Sequence, residues 1–392
     1  MNRKFLAGMA EATALTRAGK LTDATEVLQR MLQGSTDEHH GSVEDATADG
    51  DIIDGVFTVA ADPLREPAGK GTAPKPDQGA ATPKPRKPLG ATLRDISRGG
   101  MPDTGHRTAR PLGKDANFTL HRHNSAAGSR DFMVFLPHPM PTTPCPVVVM
   151  LHGCTQSPQD FADGTQMNAL AHSEGVIVVY PAQPVGANMN KCWNWFRPED
   201  QQRETGELAI VAAITRDVLL AQNADPARVY VAGLSAGGAA AVLLAQAYPD
   251  LFAAVGVHSG LAAGAATDMP QAFAAMRNGA SGTVTQHKIP TIVFHGTADT
   301  TVHIDNAHAV VEQAQRGLGG KRSTTKSTPA NGRSYDRTIL KSAEGTTLGE
   351  VWLIHGAGHA WAGGSTAGSF TDPKGPDASA EMLRFFAQHR RD

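Results

Sequence analysis

The sequence predicts an α/β fold: a mostly parallel sheet with helices on both faces. Two observations predict it. Over residues 116–390, short apolar runs alternate with segments of helical period. Runs such as Val147-Val-Val-Met-Leu151 and Val176-Ile-Val-Val-Tyr180 are apolar at every position, as strands buried on both faces require. A third observation is a glycine-rich turn around Ser235, lying between one strand pattern and one helix pattern.

Strands are expected at Phe132–Leu136, Val147–Leu151, Val176–Tyr180, Val229–Ala232, Ala253–His258, Thr291–Phe294 and Val351–Ile354. Helical character marks Glu207–Gln222, Ala236–Ala247, His303–Gln315 and Ala378–His389. These elements make up a globular domain over 116–392. Before it lie a helical segment over 1–33 and a linker over 34–115. In the first, Leu21, Ala24, Leu28, Met31 and Leu32 recur at helical spacing, and Gly19 divides the segment into two short helices. The second runs from Pro74-Lys-Pro76 through Pro83-Lys-Pro-Arg-Lys-Pro88 and has too little apolar content to offset its ordering entropy. It reads as an extended spacer.

The 392 residues carry 36 basic and 38 acidic side chains, a formal charge of -2. That balance gives no reason to expect nucleic acid or an anionic membrane as partner. No Cys/His cluster has the spacing of a zinc site. Glu11, Arg17, Lys20 and Asp23 break the apolar content of Met1–Leu32, so no secretory signal is read there and a cytoplasmic location is expected. No apolar stretch reaches the length of about 18 residues that a membrane helix needs. Three cysteines, Cys145, Cys154 and Cys192, do not make a disulfide framework.

Gly233-Leu-Ser235-Ala-Gly237 matches G-x-S-x-G. The pattern alone is common, but here Arg228-Val-Tyr-Val-Ala precedes it as a strand and an alanine-rich helix follows. A serine on such a tight turn has its hydroxyl exposed beside the free N–H groups and positive dipole end of a helix. Serine is a poor nucleophile alone and needs a base with an orienting acid. On this architecture they follow in the order Ser, Asp or Glu, His. Asp299 lies in the loop after Thr291–Phe294 and suits the acid. Asp305 competes, but it falls within the next helical pattern. His359 follows a Gly-Ala-Gly segment after the last strand and suits the base. His355 directly continues that strand and reads as held by packing, and His258 reads as structural.

The segment His152-Gly-Cys-Thr-Gln156 follows an early strand and suits a backbone oxyanion site, with the N–H groups of Cys154 and Ala236 as donors. Trp193, Trp195 and Phe196 read equally as an apolar wall for an acyl chain or as core. Substrate contacts are expected at Trp193, Trp195, Trp361 and Gln156.

His152-Gly-Cys-Thr-Gln156, Cys192-Trp-Asn-Trp-Phe196, Gly233-Leu-Ser-Ala-Gly-Gly238, His295-Gly-Thr-Ala-Asp299 and Gly358-His-Ala-Trp361 together resemble the poly(3-hydroxybutyrate) depolymerase family of esterases, which is related to feruloyl and acetylxylan esterases. The resemblance spans about residues 130–386 and implies an α/β-hydrolase fold. It also implies a triad of Ser235, Asp299 and His359, oxyanion donors at Cys154 and Ala236, and a Cys154–Cys192 disulfide. A loop of that length would add about 4 kcal/mol by chain entropy. The implied activity is cofactor-free, metal-free hydrolysis of hydroxyalkanoate polymer or oligomers. The alternatives are aryl or acetyl esters of plant polysaccharides and a non-catalytic granule-binding role. Residues 1–33 are then the expected contact with a polymer granule or partner. Two features depart from the family pattern. Ala362 stands where relatives often have proline, and no signal peptide or polymer-binding domain is seen, although such relatives are often extracellular. Export by another route is therefore the alternative to the cytoplasm.

Overall fold

A computed structural model describes residues 117–280, 289–315, 320–330 and 332–392. The expected helices over 1–33, their granule or partner contact, and the whole of the linker over 34–115 lie outside the described residues.

Ten strands form one sheet in the order β1-β2-β4-β3-β5-β6-β7-β10-β9-β8. They are β1 (Phe118–Ser125), β2 (Gly128–Phe135), β3 (Cys145–Leu151), β4 (Ile177–Pro181), β5 (Ala224–Leu234), β6 (Ala254–His258), β7 (Thr291–Gly296), β8 (Gly320–Ser327), β9 (Tyr335–Ser342) and β10 (Thr347–Ile354). The centre, from β4 through β3, β5, β6 and β7 to β10, is parallel throughout. Antiparallel strands complete both edges. All seven expected strands are present, and this is the sheet of an α/β-hydrolase.

Alternation within each strand divides the core in two. Val147, Val149, Leu151, Val229, Val231, Val255 and Val257 face one side, against α3 (Gly206–Ala221), α4 (Ala236–Ala247), α5 (Met269–Asn278) and α6 (Asp305–Gln315). Val148, Met150, Tyr230, Ala232 and Phe294 face the other, against α1 (Pro158–Thr165), α2 (Met167–Glu174) and α7 (Ala378–Phe386). The crossover connections of a parallel sheet place helices on both faces in this way.

Several elements were not expected, each for a physical reason. β8 reads GKRSTTKS, with no apolar residue, and is exposed along nearly its whole length. It exists through its pairing with β9, and its lysines and arginine suit an edge that must not pair with another chain. β1 is also an edge strand and mostly exposed. Helices α1 and α2 have eight residues each, too few for a clear period. Their boundaries come from local chemistry: the Ser157 side chain caps α1 by accepting from Asp160 N, and Gly175 ends α2 at φ 68°.

Helix α7 lies close against the central sheet at Gly256 in β6. A Cβ there would lie 2.7 Å from Met382 Sδ and 3.1 Å from both Ala232 Cβ and Phe386 Cζ. The Gly256→Val variant is therefore expected to push α7 off the sheet and cost about 1–3 kcal/mol of stability. Urea unfolding followed by circular dichroism checks this, with an unchanged midpoint as the contrary result.

Candidate active site

Because the central strands are parallel, the loops after their carboxyl ends share one edge of the sheet. Register places Leu234 beside His258, His258 beside Phe294, and Gly296 beside Ile354. Ser235 directly follows β5, Asp299 lies in the loop after β7, and His359 lies in the loop after β10.

Ser235 has φ 58° and ψ -121°, a left-handed backbone that a non-glycine residue adopts at a cost of about 1–3 kcal/mol. Two bonds hold it there: its N–H donates to the His258 carbonyl at 2.9 Å, and its own carbonyl accepts from Ala239 N at 3.0 Å. Glycine is required on both sides by contact. A Cβ at Gly233 would stand 2.4 Å from the Gly237 carbonyl, and one at Gly237 would stand 2.1 Å from the Leu151 carbonyl oxygen. The first turn of α4 thus lies directly on the end of β3, which brings Ala236, whose N–H opens the helix, to the loop containing Cys154.

Asp299 and His359 are joined. His359 Nδ1 is 2.8 Å from Asp299 Oδ2, and both side chains are buried or nearly so. Asp299 Oδ1 accepts from the N–H groups of Thr301 and Val302, each at 2.9 Å. Burial pushes this carboxyl up. The opposing charge and hydrogen bond of His359, with His295 and the Val302 N–H, outweigh burial and hold it well below the usual carboxylate range. The two loops are fastened by backbone: Thr297 N donates to Ile354 O and Ala298 N to Ala357 O, both at 2.9 Å. Gly356 N donates to Thr297 Oγ1 at the same distance.

The competing residues sit elsewhere. Asp305 is exposed at the start of α6, 3.3 Å from His303. His355 is half-exposed and its Nε2 lies 3.1 Å from Asp336 Oδ1, so a hydrogen bond holds it rather than packing. His258 is fully buried between Phe294 and Trp361; its Nε2 accepts from Ala362 N at 3.0 Å. Ala362 thus uses an N–H that a proline there would lack.

Cys154 and Cys192 form a disulfide, and Cys145 is free and buried. Thr155 N also donates to Asn190 O at 2.7 Å, a second tie between the loop after β3 and the 188–196 loop, beside the Trp193 bond to His152 O. The four expected substrate contacts all turn inward. Trp193 is buried with its Nε1 donating to His152 O, and Trp361 is buried with its Nε1 donating to Ser379 Oγ. Trp195 packs in the core with Phe196. Gln156 accepts from Gly153 N at 2.9 Å through its oxygen and donates to Asp160 and Ser369 through its nitrogen. Sequence reasoning passed over Gln183, Glu207, Asp160 and Ser369, which brace these loops. Glu207 sits in the first turn of a helix, where an acidic residue is expected for the dipole alone.

The sheet order, the serine at a strained strand-to-helix turn and the Asp–His pair define the class, an α/β-hydrolase with a serine at its elbow. The chain belongs to the family described as "Esterase PHB depolymerase", whose model matches residues 131–333. Ser235, Asp299 and all three cysteines fall within the match, and His359 lies beyond it. Poly(3-hydroxyalkanoate) depolymerase C of Paucimonas lemoignei is 34% identical over 59% of this chain and 58% of its own length. This chain therefore matches little more than half of that relative. Feruloyl esterase B of Thermothelomyces thermophilus is 31% identical over 47% of this chain and 69% of its own. Acetylxylan esterase A of Talaromyces purpureogenus is 29% identical over 67% and 77%. The solved acetyl xylan esterase from Aspergillus awamori shares the fold at a TM-score of 0.53 and 21% identity, covering 69% of this chain and 99% of that one.

The buried histidines set an acid limit. Burial pushes His152 down to about 4; burial, followed by the cationic forms of His295 and His359, pushes His258 down to about 3. Their folded values lie below the unfolded value of about 6.5, so the unfolded chain binds more protons in between. The stability they lend is complete above about pH 6.5 and falls as pH drops toward 4 and 3. Asp299 acts in a lower window, below about pH 3.9. The urea midpoint is expected to fall steadily from pH 7 to pH 4.5, and less steeply in His258→Gln. Equal slopes would contradict the role of the buried imidazole.

Proposed function

We propose that the protein is a serine-dependent carboxylic ester hydrolase acting through an acyl-enzyme, with esters of 3-hydroxyalkanoate chains as its substrate class. The observation that carries this is the 2.8 Å Asp299–His359 bond at the sheet edge that also carries the strained Ser235. Family membership supports the substrate class.

The mechanism follows from the donors and acceptors. Asp299 holds the proton of His359 on Nδ1, which leaves Nε2 free as base. Ser235 Oγ attacks the ester carbonyl carbon while His359 Nε2 takes its proton. The carbonyl π electrons move to oxygen, and the N–H groups of Cys154 and Ala236 receive that negative charge. Collapse expels the alcohol, which takes the proton from His359. Water then attacks the acyl-enzyme by the same route and releases the acid.

A second reading, an esterase on feruloyl or acetyl groups of polysaccharides, is favoured by the larger share of the feruloyl and acetylxylan relatives that this chain matches, 69% and 77%. The test sets 3-hydroxybutyrate oligomers, a suspension of the polymer, methyl ferulate and acetylated xylan before the wild type and Ser235→Ala. Oligomer hydrolysis is expected to dominate and to vanish in Ser235→Ala with the unfolding midpoint retained. Asp299→Asn is expected to lower kcat by about 10⁴-fold, since the imidazole loses its tautomer. Dominant ferulate or acetate release would move the substrate to the second reading, and full activity in Ser235→Ala would sink the mechanism.

A further inference from the structure

The peptide between Gly153 and Cys154 carries the proposed oxyanion donor, and its orientation is held from the carbonyl side. Gly153 O lies 2.8 Å from Nδ1 of the buried His152 and accepts a second bond from Gln156 N at 3.4 Å. In a planar trans peptide the C=O and N–H point to opposite sides. Fixing Gly153 O therefore fixes the direction of Cys154 N–H.

Backbone groups at both ends decide the state of the His152 ring. A carbonyl only accepts, so Nδ1 carries the proton. At the other nitrogen, Gln183 N–H donates to Nε2 at 3.1 Å. The ring is neutral with its proton on Nδ1, and burial, which pushes it down to about 4, keeps it so at neutral pH. The preceding peptide is fixed too, because His152 O accepts from Trp193 Nε1 at 3.1 Å.

Behind the ring stands a buried carboxylate. The Gln183 side chain donates to Cys192 O at 2.9 Å and to Glu207 Oε1 at 2.5 Å. Asn194 donates to Glu207 twice, from Nδ2 at 2.6 Å and from its backbone N at 2.8 Å. The three hydrogen bonds at the Glu207 oxygens all come from donors, so an ionised carboxylate satisfies them and a protonated one would oppose one. Burial pushes the Glu207 carboxyl up, and the bonds from Gln183 and Asn194, with the buried Arg130 guanidinium 3.9 Å away, work against that rise. Glu207 thus holds Gln183, Asn194 and, through them, both neighbours of the oxyanion loop.

We propose that His152 is the positioning residue that aims the Cys154 N–H at the oxyanion, and that Glu207 is the buried anchor keeping the His152 clamp in place. This rests on the Ser235 acyl-enzyme reading. Neither side chain touches substrate; both act through the peptide, so their loss must show in the transition state alone.

The test measures kcat, KM and urea midpoint with p-nitrophenyl butyrate for the full chain and for Ser235→Ala, His152→Gln, His152→Asn and Glu207→Gln. A glutamine oxygen at 152 can still meet Gln183 N but leaves Gly153 O without a side-chain donor. An asparagine nitrogen takes the place of Nδ1. His152→Gln is expected to lower kcat by about 10²-fold with KM within about threefold of wild type. His152→Asn is expected to recover most of that loss, and Glu207→Gln to lower kcat in the same direction by a smaller factor. Wild-type kcat in His152→Gln, a loss confined to KM, or an equal loss in both His152 variants would overturn the proposal while leaving the Ser235 reading intact. Activity retained in Ser235→Ala, or no ester hydrolysis by the wild type, would overturn both. Should His152→Gln fail to fold, Glu207→Gln decides, with wild-type kcat there overturning the proposal.

Discussion

The first turn of α4 lies on the end of β3 with no room for a side-chain carbon between them. A Cβ on Gly237 would be 2.1 Å from Leu151 O and 2.6 Å from His152 O. That contact determines where the helix N-terminus sits, and so where Ala236 meets the loop of Cys154. It also explains the strain at Ser235. The chain leaves β5 and must enter a helix lying this close to the neighbouring strand, and it does so by passing one residue through φ 58°. The cost of about 1–3 kcal/mol is met by the packing of a helix buried along nearly its whole length.

Around that contact the site is braced in two ways. On the acid–base side, the loops after β7 and β10 are joined by backbone hydrogen bonds of 2.9 Å, and Gly296 admits the Ala357 and Gly358 carbonyls where a Cβ would collide. On the oxyanion side, the loops are tied by a disulfide and by side chains converging on Glu207. A third tie crosses between them. Gln156, beside the oxyanion loop, donates to Asp160, which accepts from both the N–H and the hydroxyl of Ser369 beyond the base loop. Buried carboxylates make effective braces because each accepts several fixed donors, and removing any one leaves a charge or a polar group unmet.

The central sheet was legible because every strand buried on two faces must be apolar throughout, a pattern that survives without knowledge of neighbours. The edges were not, since β8 is a strand only by virtue of β9. Ser235, Asp299 and His359 could be picked out because chemistry dictates their residue types and chain order. His355 and Asp305 could be set aside on position alone, and the structure finds each in a local contact of its own, His355 with Asp336 and Asp305 with His303. The bracing network left no comparable trace. Glu207 looks like an ordinary first-turn acid, and Gln183 like a loop residue. Their partners lie 24 and 13 residues from Glu207 in sequence, so only the fold brings them together.

The aromatic residues show why substrate choice is harder to read than chemistry. Trp193 and Trp361 each have the right size and polarity to grip an acyl chain, yet each uses its indole N–H on an internal acceptor and its ring in the core. Their contribution to the site is indirect, through the loops they fasten. On the segment carrying Cys192, the large apolar side chains left facing solvent are Val185 and Met189, at 55% and 86% exposure. The relatives this chain resembles are named for different esters, and the fold does not choose among them.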